Sequence, residues 1–145
     1  MLNIRRCAVE YKIVFYSAQK TSLCERKLVK CLSANQLSHS GSSFAVKNDA
    51  LGAKLIEAFD NCEITFLIGG LDFADSRSAV KIISNAAAES EPELVRKLRG
   101  IDGHDGYMLK SGGKLMVMLP DDPEQIETIA QGELSEYLKY FVKTS

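Results

Sequence analysis

The stretch ITFLIGGLDFADSRSAVKII, residues 64–83, decides how the rest of the chain is read. An uninterrupted apolar run ends in Gly69-Gly70, a short polar loop follows, and a helical pattern begins near Ser76. Apolar runs of this length are strands buried on both faces, as in parallel sheets. Strand, glycine turn and helix in that order place backbone N–H groups and a helix dipole where an anion can approach. Glycine there admits positive φ and close contact with a ligand. The loop also carries Asp72 and Asp75, whose carboxylates repel phosphate.

Units of the same kind flank this one. Residues 7–18, CAVEYKIVFYSA, read as a buried strand ending near Ser17, and residues 21–35 as a helix with Cys24, Leu28, Cys31 and Leu32 on its inward face. The polar run QLSHSGS reads as a loop before a short strand at 43–47. A helix capped by Asn48 follows, with Asp49 in its first turn and Leu51, Leu55 and Phe59 on its stripe beside Ile56 and Ala58. Beyond residue 76 the pattern predicts a helix with Val80, Ile83, Ala86 and Ala87 inward. Ser90, Pro92 and Glu93 have the spacing of a capping box, which predicts a second, short helix over PELVRKL. GYMLK and KLMVMLP around Ser111-Gly112-Gly113 predict a hairpin. Asp121-Asp122-Pro123 opens the last helix, with Ile126, Ile129, Leu134, Leu138 and Phe141 inward and Gly132 as a point of bending or interruption.

The alternation predicts an α/β protein, a three-layer αβα sandwich on a mostly parallel sheet with one antiparallel hairpin. Residues 1–145 read as a single domain without repeat or linker. At 46% hydrophobic and 26% charged the chain can bury a core, and a formal net charge of −1 argues against nucleic-acid binding. No apolar run reaches membrane length, and Glu10 and Lys12 interrupt the N-terminal apolar stretch, so a cytoplasmic location is expected. Cys7, Cys24, Cys31 and Cys62 form no CxxC pair, and His39 and His104 lie far from them, which argues against zinc.

Ligands of open α/β sheets sit beyond the carboxyl ends of the strands, here Ser17-Ala18, Gly69-Gly70 and Pro120-Asp121. Neither GxGxxG nor GxxxxGK[ST] is present. Ordinary structural roles stand beside the functional ones. Asp72 and Asp75 suit a turn and an N-cap, Asp121-Asp122-Pro123 a helix start, and Asp49 a dipole partner. His104-Asp105 suits loop polarity rather than an acid–base pair, because neighbours in an extended chain point apart.

Residues 46–76, VKNDALGAKLIEAFDNCEITFLIGGLDFADS, resemble the molybdopterin-binding fold of molybdenum-cofactor biosynthesis proteins, which also forms the N-terminal domain of competence/damage-inducible proteins. Val46 and Asp49 match that family's V-x-x-D helix start, and Gly69-Gly70 its glycine pair. Leu119, Pro120 and Pro123 match its Leu-Pro-Gly-x-Pro, and Gly106 stands where the family often has a glycine before the hairpin. The resemblance covers roughly residues 43–142.

It implies a pterin or nucleotide ligand, with molybdopterin or magnesium and ATP as cofactors, a homo-oligomer (trimer or dimer), and no membrane or nucleic-acid partner. The ligand residues it implies are Ser17, Gly69, Gly70, Leu71, Asp72, Asp75, Ser76, Pro120, Asp121 and Asp122, with Asp49 and Asp75 as catalytic candidates. Both glycine motifs are altered. Gly-Gly-x-Gly becomes Gly69-Gly70-Leu71-Asp72, the third residue of Leu-Pro-Gly-x-Pro becomes Asp121, and the Ser-Asp or Gly-Asp after the first strand becomes Ser17-Ala18-Gln19. Asp75 aligns with the family's acid only after a shift of about one position.

Two unit charges about 4 Å apart at an effective dielectric of 20 interact by roughly 4 kcal/mol, about a thousandfold in affinity. Asp72, Asp75, Asp121 and Asp122 therefore either hold a metal, with magnesium on Asp72 and Asp75, or mark a lost or altered site. The function expected is a molybdopterin- or nucleotide-binding protein with altered or lost adenylyltransferase activity. The alternatives are a non-catalytic assembly module and a metal-dependent nucleotide pyrophosphatase.

Overall fold

The computed structural model describes residues 9–16, 18–33, 37–45, 48–69, 94–100, 105–111 and 113–144. Strands β1 (Val9–Tyr16), β2 (Leu37–Ala45), β3 (Ile64–Ile68), β4 (Leu94–Leu98), β5 (Gly106–Ser111) and β6 (Lys114–Leu119) form one sheet in the order β2-β1-β3-β6-β5-β4. β2, β1, β3 and β6 run parallel, and β5 is antiparallel to both β6 and β4. Helices α1 (Thr21–Ser33), α2 (Asn48–Asn61), α3 (Pro123–Ala130) and α4 (Glu133–Thr144) cover its two faces.

Alternation along each central strand sorts side chains between two cores. Ile13, Phe15, Ile64, Phe66, Ile68, Val117 and Leu119 pack with Cys24 and Leu28 of α1, Ile126 and Ile129 of α3, and Leu134, Leu138 and Phe141 of α4. Val14, Tyr16, Leu67, Met116 and Met118 pack with Leu51, Leu55 and Ala58 of α2. All of β3 is buried, as the continuous apolar run predicts. Thr65 Oγ1, in mid-strand, is buried without a hydrogen-bond partner among the described residues.

The hairpin, the inward stripes of α1 and α3, and the break at Gly132 agree with the sequence reading. Cys31 differs: it is half-buried and outside the core cluster. Two elements need correction. The polar run before residue 43 is not a loop, because β2 starts at Leu37 and pairs along the whole of β1. Its Ser-rich side chains face solvent on an edge strand, and the backbone ladder, not side-chain polarity, decides the pairing. Residues 94–98 form a strand where a helix was expected. A helix that short has little stability of its own, whereas the β5 ladder satisfies every other backbone group of the segment.

The helix expected after residue 76, the capping box at Ser90 and Glu93, and His104 lie outside the described residues, as do the side chains of Asp49, Ile56 and Phe59. No helix among the described residues is long and apolar enough to cross a membrane.

Candidate functional site

β1, β3 and β6 are adjacent and parallel, so their carboxyl ends share one side of the sheet. The exits of β3 and β6 touch: the Gly69 N–H donates to the Leu119 carbonyl at 3.0 Å. Gly69 has φ +102°, and a Cβ added there would stand 2.4 Å from the Tyr16 carbonyl oxygen. The first glycine of the pair is thus required by the crowding of three strand ends. Gly106 is similarly confined, since a Cβ there would lie 2.6 Å from the Met118 carbonyl oxygen.

After β6 the chain turns through Pro120, Asp121 and Asp122 into α3. The two aspartates do different work. Asp122 is the N-cap of α3: its carboxylate accepts from the Glu124 N–H at 2.9 Å, and Pro123 fills the first turn, where no N–H is needed. Asp121 reaches away from its own helix to the turn that leads from β1 into α1. Its Oδ2 accepts from the Gln19 N–H at 2.7 Å, and its Oδ1 accepts from the Lys20 N–H at 3.2 Å. The Cys24 thiol donates to Oδ1 at 3.6 Å. A carboxylate of the chain therefore sits on backbone donors of the kind that receive anions at helix starts.

Cys24 is fully buried, and burial followed by the Asp121 charge pushes its thiol up to about 12. It stays protonated at neutral pH, which leaves it a poor nucleophile. A Lys27–Glu127 ion pair at 3.4 Å holds α1 against α3 beside this corner. A separate groove of about 390 Å³ between the last turns of α1 and α3 is lined by Lys30, Cys31, Glu127 and Lys139 and includes none of the strand exits.

Of the residues expected at the site, Gly69, Pro120, Asp121 and Asp122 are brought to the same end of the sheet. Ser17, Gly70, Leu71, Asp72, Asp75 and Ser76 lie outside the described residues, and Asp49 is placed only as a backbone position in α2. No group of three or more metal-ligating side chains occurs among the described residues. Asp105, the other half of the His104-Asp105 pair, serves its loop, accepting from the Gly100 N–H at 2.9 Å and pairing with Lys97 at 3.3 Å.

No protein-family model matches the chain, and no curated protein matches its sequence. Solved structures do match. The protein CinA of unknown function from Thermoplasma acidophilum superposes with a TM-score of 0.67 at 12% identity, over 90% of this chain and 99% of that one. A molybdopterin biosynthesis protein from Mycobacterium abscessus gives 0.65 at 12% identity, over 94% and 96%. The chain shares the fold of these proteins. The tungsten cofactor synthesizing protein MoaB from Pyrococcus furiosus, at 0.58 and 12% identity over 94% and 98%, shares it. At such identities the likeness is one of fold.

Within this shared fold the chain's changed positions acquire a spatial meaning. The resemblance implies an acid just after the first strand, where the chain has Ala18. Asp121 brings a carboxylate to that same turn from the end of β6. Gln19, Lys20 and Cys24 were not among the expected site residues. The only sequence signal for them was the paired change, an acid missing after β1 and one present after β6.

Proposed function

We propose that this protein is a molybdopterin-binding-type protein that holds a pterin or nucleotide at the carboxyl end of its sheet and has lost adenylyl transfer. The observation that carries the second half is the Asp121 carboxylate on the Gln19 and Lys20 amides. A phosphate directed at those donors meets a negative charge already in place. At about 4 Å and an effective dielectric of 20 that costs roughly 4 kcal/mol, near a thousandfold in affinity. The first half is supported by the contact between the exits of β3 and β6, which makes one rim of Gly69 and Pro120-Asp121. It is supported too by the structural neighbours, which include molybdopterin and molybdenum-cofactor biosynthesis proteins.

Calorimetric titration with molybdopterin, and separately with ATP and magnesium, tests both halves. The expected result is saturable heat with the pterin and no pyrophosphate release when ATP, magnesium and pterin are combined. Absence of heat with every ligand overturns the binding reading; pyrophosphate release overturns the loss of transfer.

A second reading is an assembly module in which copies of the chain associate. It is favoured by the edge strand β2, which carries no Lys, Arg, Asp, Glu or Pro in LSHSGSSFA. The pyrophosphatase reading depends on Asp72 and Asp75, and no observation favours it.

A further inference from the structure

Helix α1 begins without an anion of its own. The Cys24 N–H donates to the Lys20 carbonyl at 2.9 Å, which makes Lys20 the residue that opens the helix. A lysine side chain has no acceptor to cap with, and the first turn of α1 holds no acidic residue. The missing charge comes from the end of β6. Asp121 accepts from the Gln19 N–H at 2.7 Å, the Lys20 N–H at 3.2 Å and the Cys24 thiol at 3.6 Å. A carboxylate has about four lone-pair sites, and these donors fill most of them. Cys24 is fully buried and the Lys27–Glu127 pair ties α1 to α3, so the carboxylate is held between two packed elements. The charges acting on the Cys24 thiol are those of Asp121, Asp122 and Lys20, so negative charge prevails at this corner.

We infer that Asp121 sets the ligand class of this site, selecting pterins or nucleosides that carry no phosphate over their phosphate monoesters. The inference deepens the pterin- or nucleotide-binding reading proposed above and rests on it. The turn before α1 is where backbone N–H groups and the helix dipole favour an anion, and it lies at the same end of the sheet as the rim of Gly69 and Pro120. With Asp121 in place that attraction is satisfied from within the chain. A ligand's phosphate meets occupied donors and a like charge, whereas the hydroxyl and ring groups of an unphosphorylated ligand meet no such repulsion. Phosphorylated ligands, molybdopterin among them, therefore occupy the same rim more weakly. Selection of this kind is a difference of affinities, and a repulsive element achieves it without any new attractive contact. A glycine at position 121 leaves both N–H groups open, so one side chain decides the class.

Calorimetric titration of the full chain without magnesium tests this, comparing neopterin with its monophosphate and adenosine with adenosine monophosphate. Wild type is set beside Asp121→Asn, which keeps the shape and removes the charge, and Asp121→Gly, which also empties the donors. Circular dichroism reports whether each variant is folded. The expected result is a wild type that binds the unphosphorylated member of each pair at least about tenfold more tightly, toward an unscreened ceiling of about a thousandfold. In the folded variants the preference disappears or reverses. A wild type that binds a monophosphate as tightly as its parent overturns the selection and leaves the binding reading standing, and that comparison does not depend on either variant folding. A preference undiminished in the folded variants overturns the role of Asp121. Absence of binding by all four compounds overturns the binding reading itself.

Discussion

The exits of β3 and β6 are neighbours, yet the chain leaves them by different physical means. At Gly69 the backbone itself is the constraint: three strand ends converge, φ is +102°, and there is no room for a methyl group. At Asp121 and Asp122 the backbone is ordinary and the side chains do the work, one carboxylate capping α3 and the other binding the turn before α1. A glycine at a strand exit therefore need not announce a ligand, and an acid there need not be a metal ligand. Each can be taken up by the protein's own geometry.

The largest expected effect comes from breaking the first exit. Gly69→Ala forces a Cβ against the Tyr16 carbonyl at an unfavourable φ, and should cost about 3 kcal/mol or more. Urea denaturation measures it, and a loss under about 1 kcal/mol would mean that the strand ends have slack.

The second exit should yield a graded pair. Asp121→Ala leaves two N–H groups without their charged acceptor and should cost about 2 kcal/mol. Asp122→Ala removes only a cap, about 1 kcal/mol. Equal losses in the same denaturation experiment would show that the reach across to α1 adds nothing to a local cap.

Asp105 is the smallest case, an aspartate whose bonds close only its own corner of the sheet. The Gly100 N–H, then Lys97, hold its carboxyl below the usual range. Between the folded and unfolded values the unfolded chain binds more protons, so stability rises with pH across that window. The contribution is present above the ordinary carboxylate value and is lost as pH falls through the lower, folded one. Thermal melting of wild type and Asp105→Asn should therefore differ at neutral pH and converge below about pH 4. A constant difference down to low pH would break the assignment.

Much of this arrangement is legible in the residues. The β3 run, the Ser111–Gly113 hairpin and the Asp122-Pro123 helix start each carry their own local signal. β4 was not legible, because LVRKL suits a helix or a strand and only the β5 ladder decides between them. The N-terminal half of β2 was hidden in the same way, its serines and glycine reading as loop until β1 supplies the pairing partner. At the candidate site the acids were visible and their targets were not.

By itself, then, the sequence determined the alternation of buried strands and amphipathic helices, since hydrophobic periodicity is a local property of the chain. Tertiary structure alone decided where the Asp121 carboxylate is spent. Gln19 and Lys20 lie about a hundred residues away along the chain and are brought to it by the parallel packing of β1, β3 and β6. Hydrogen bonds act over about 3 Å of space, and no distance along the sequence encodes that.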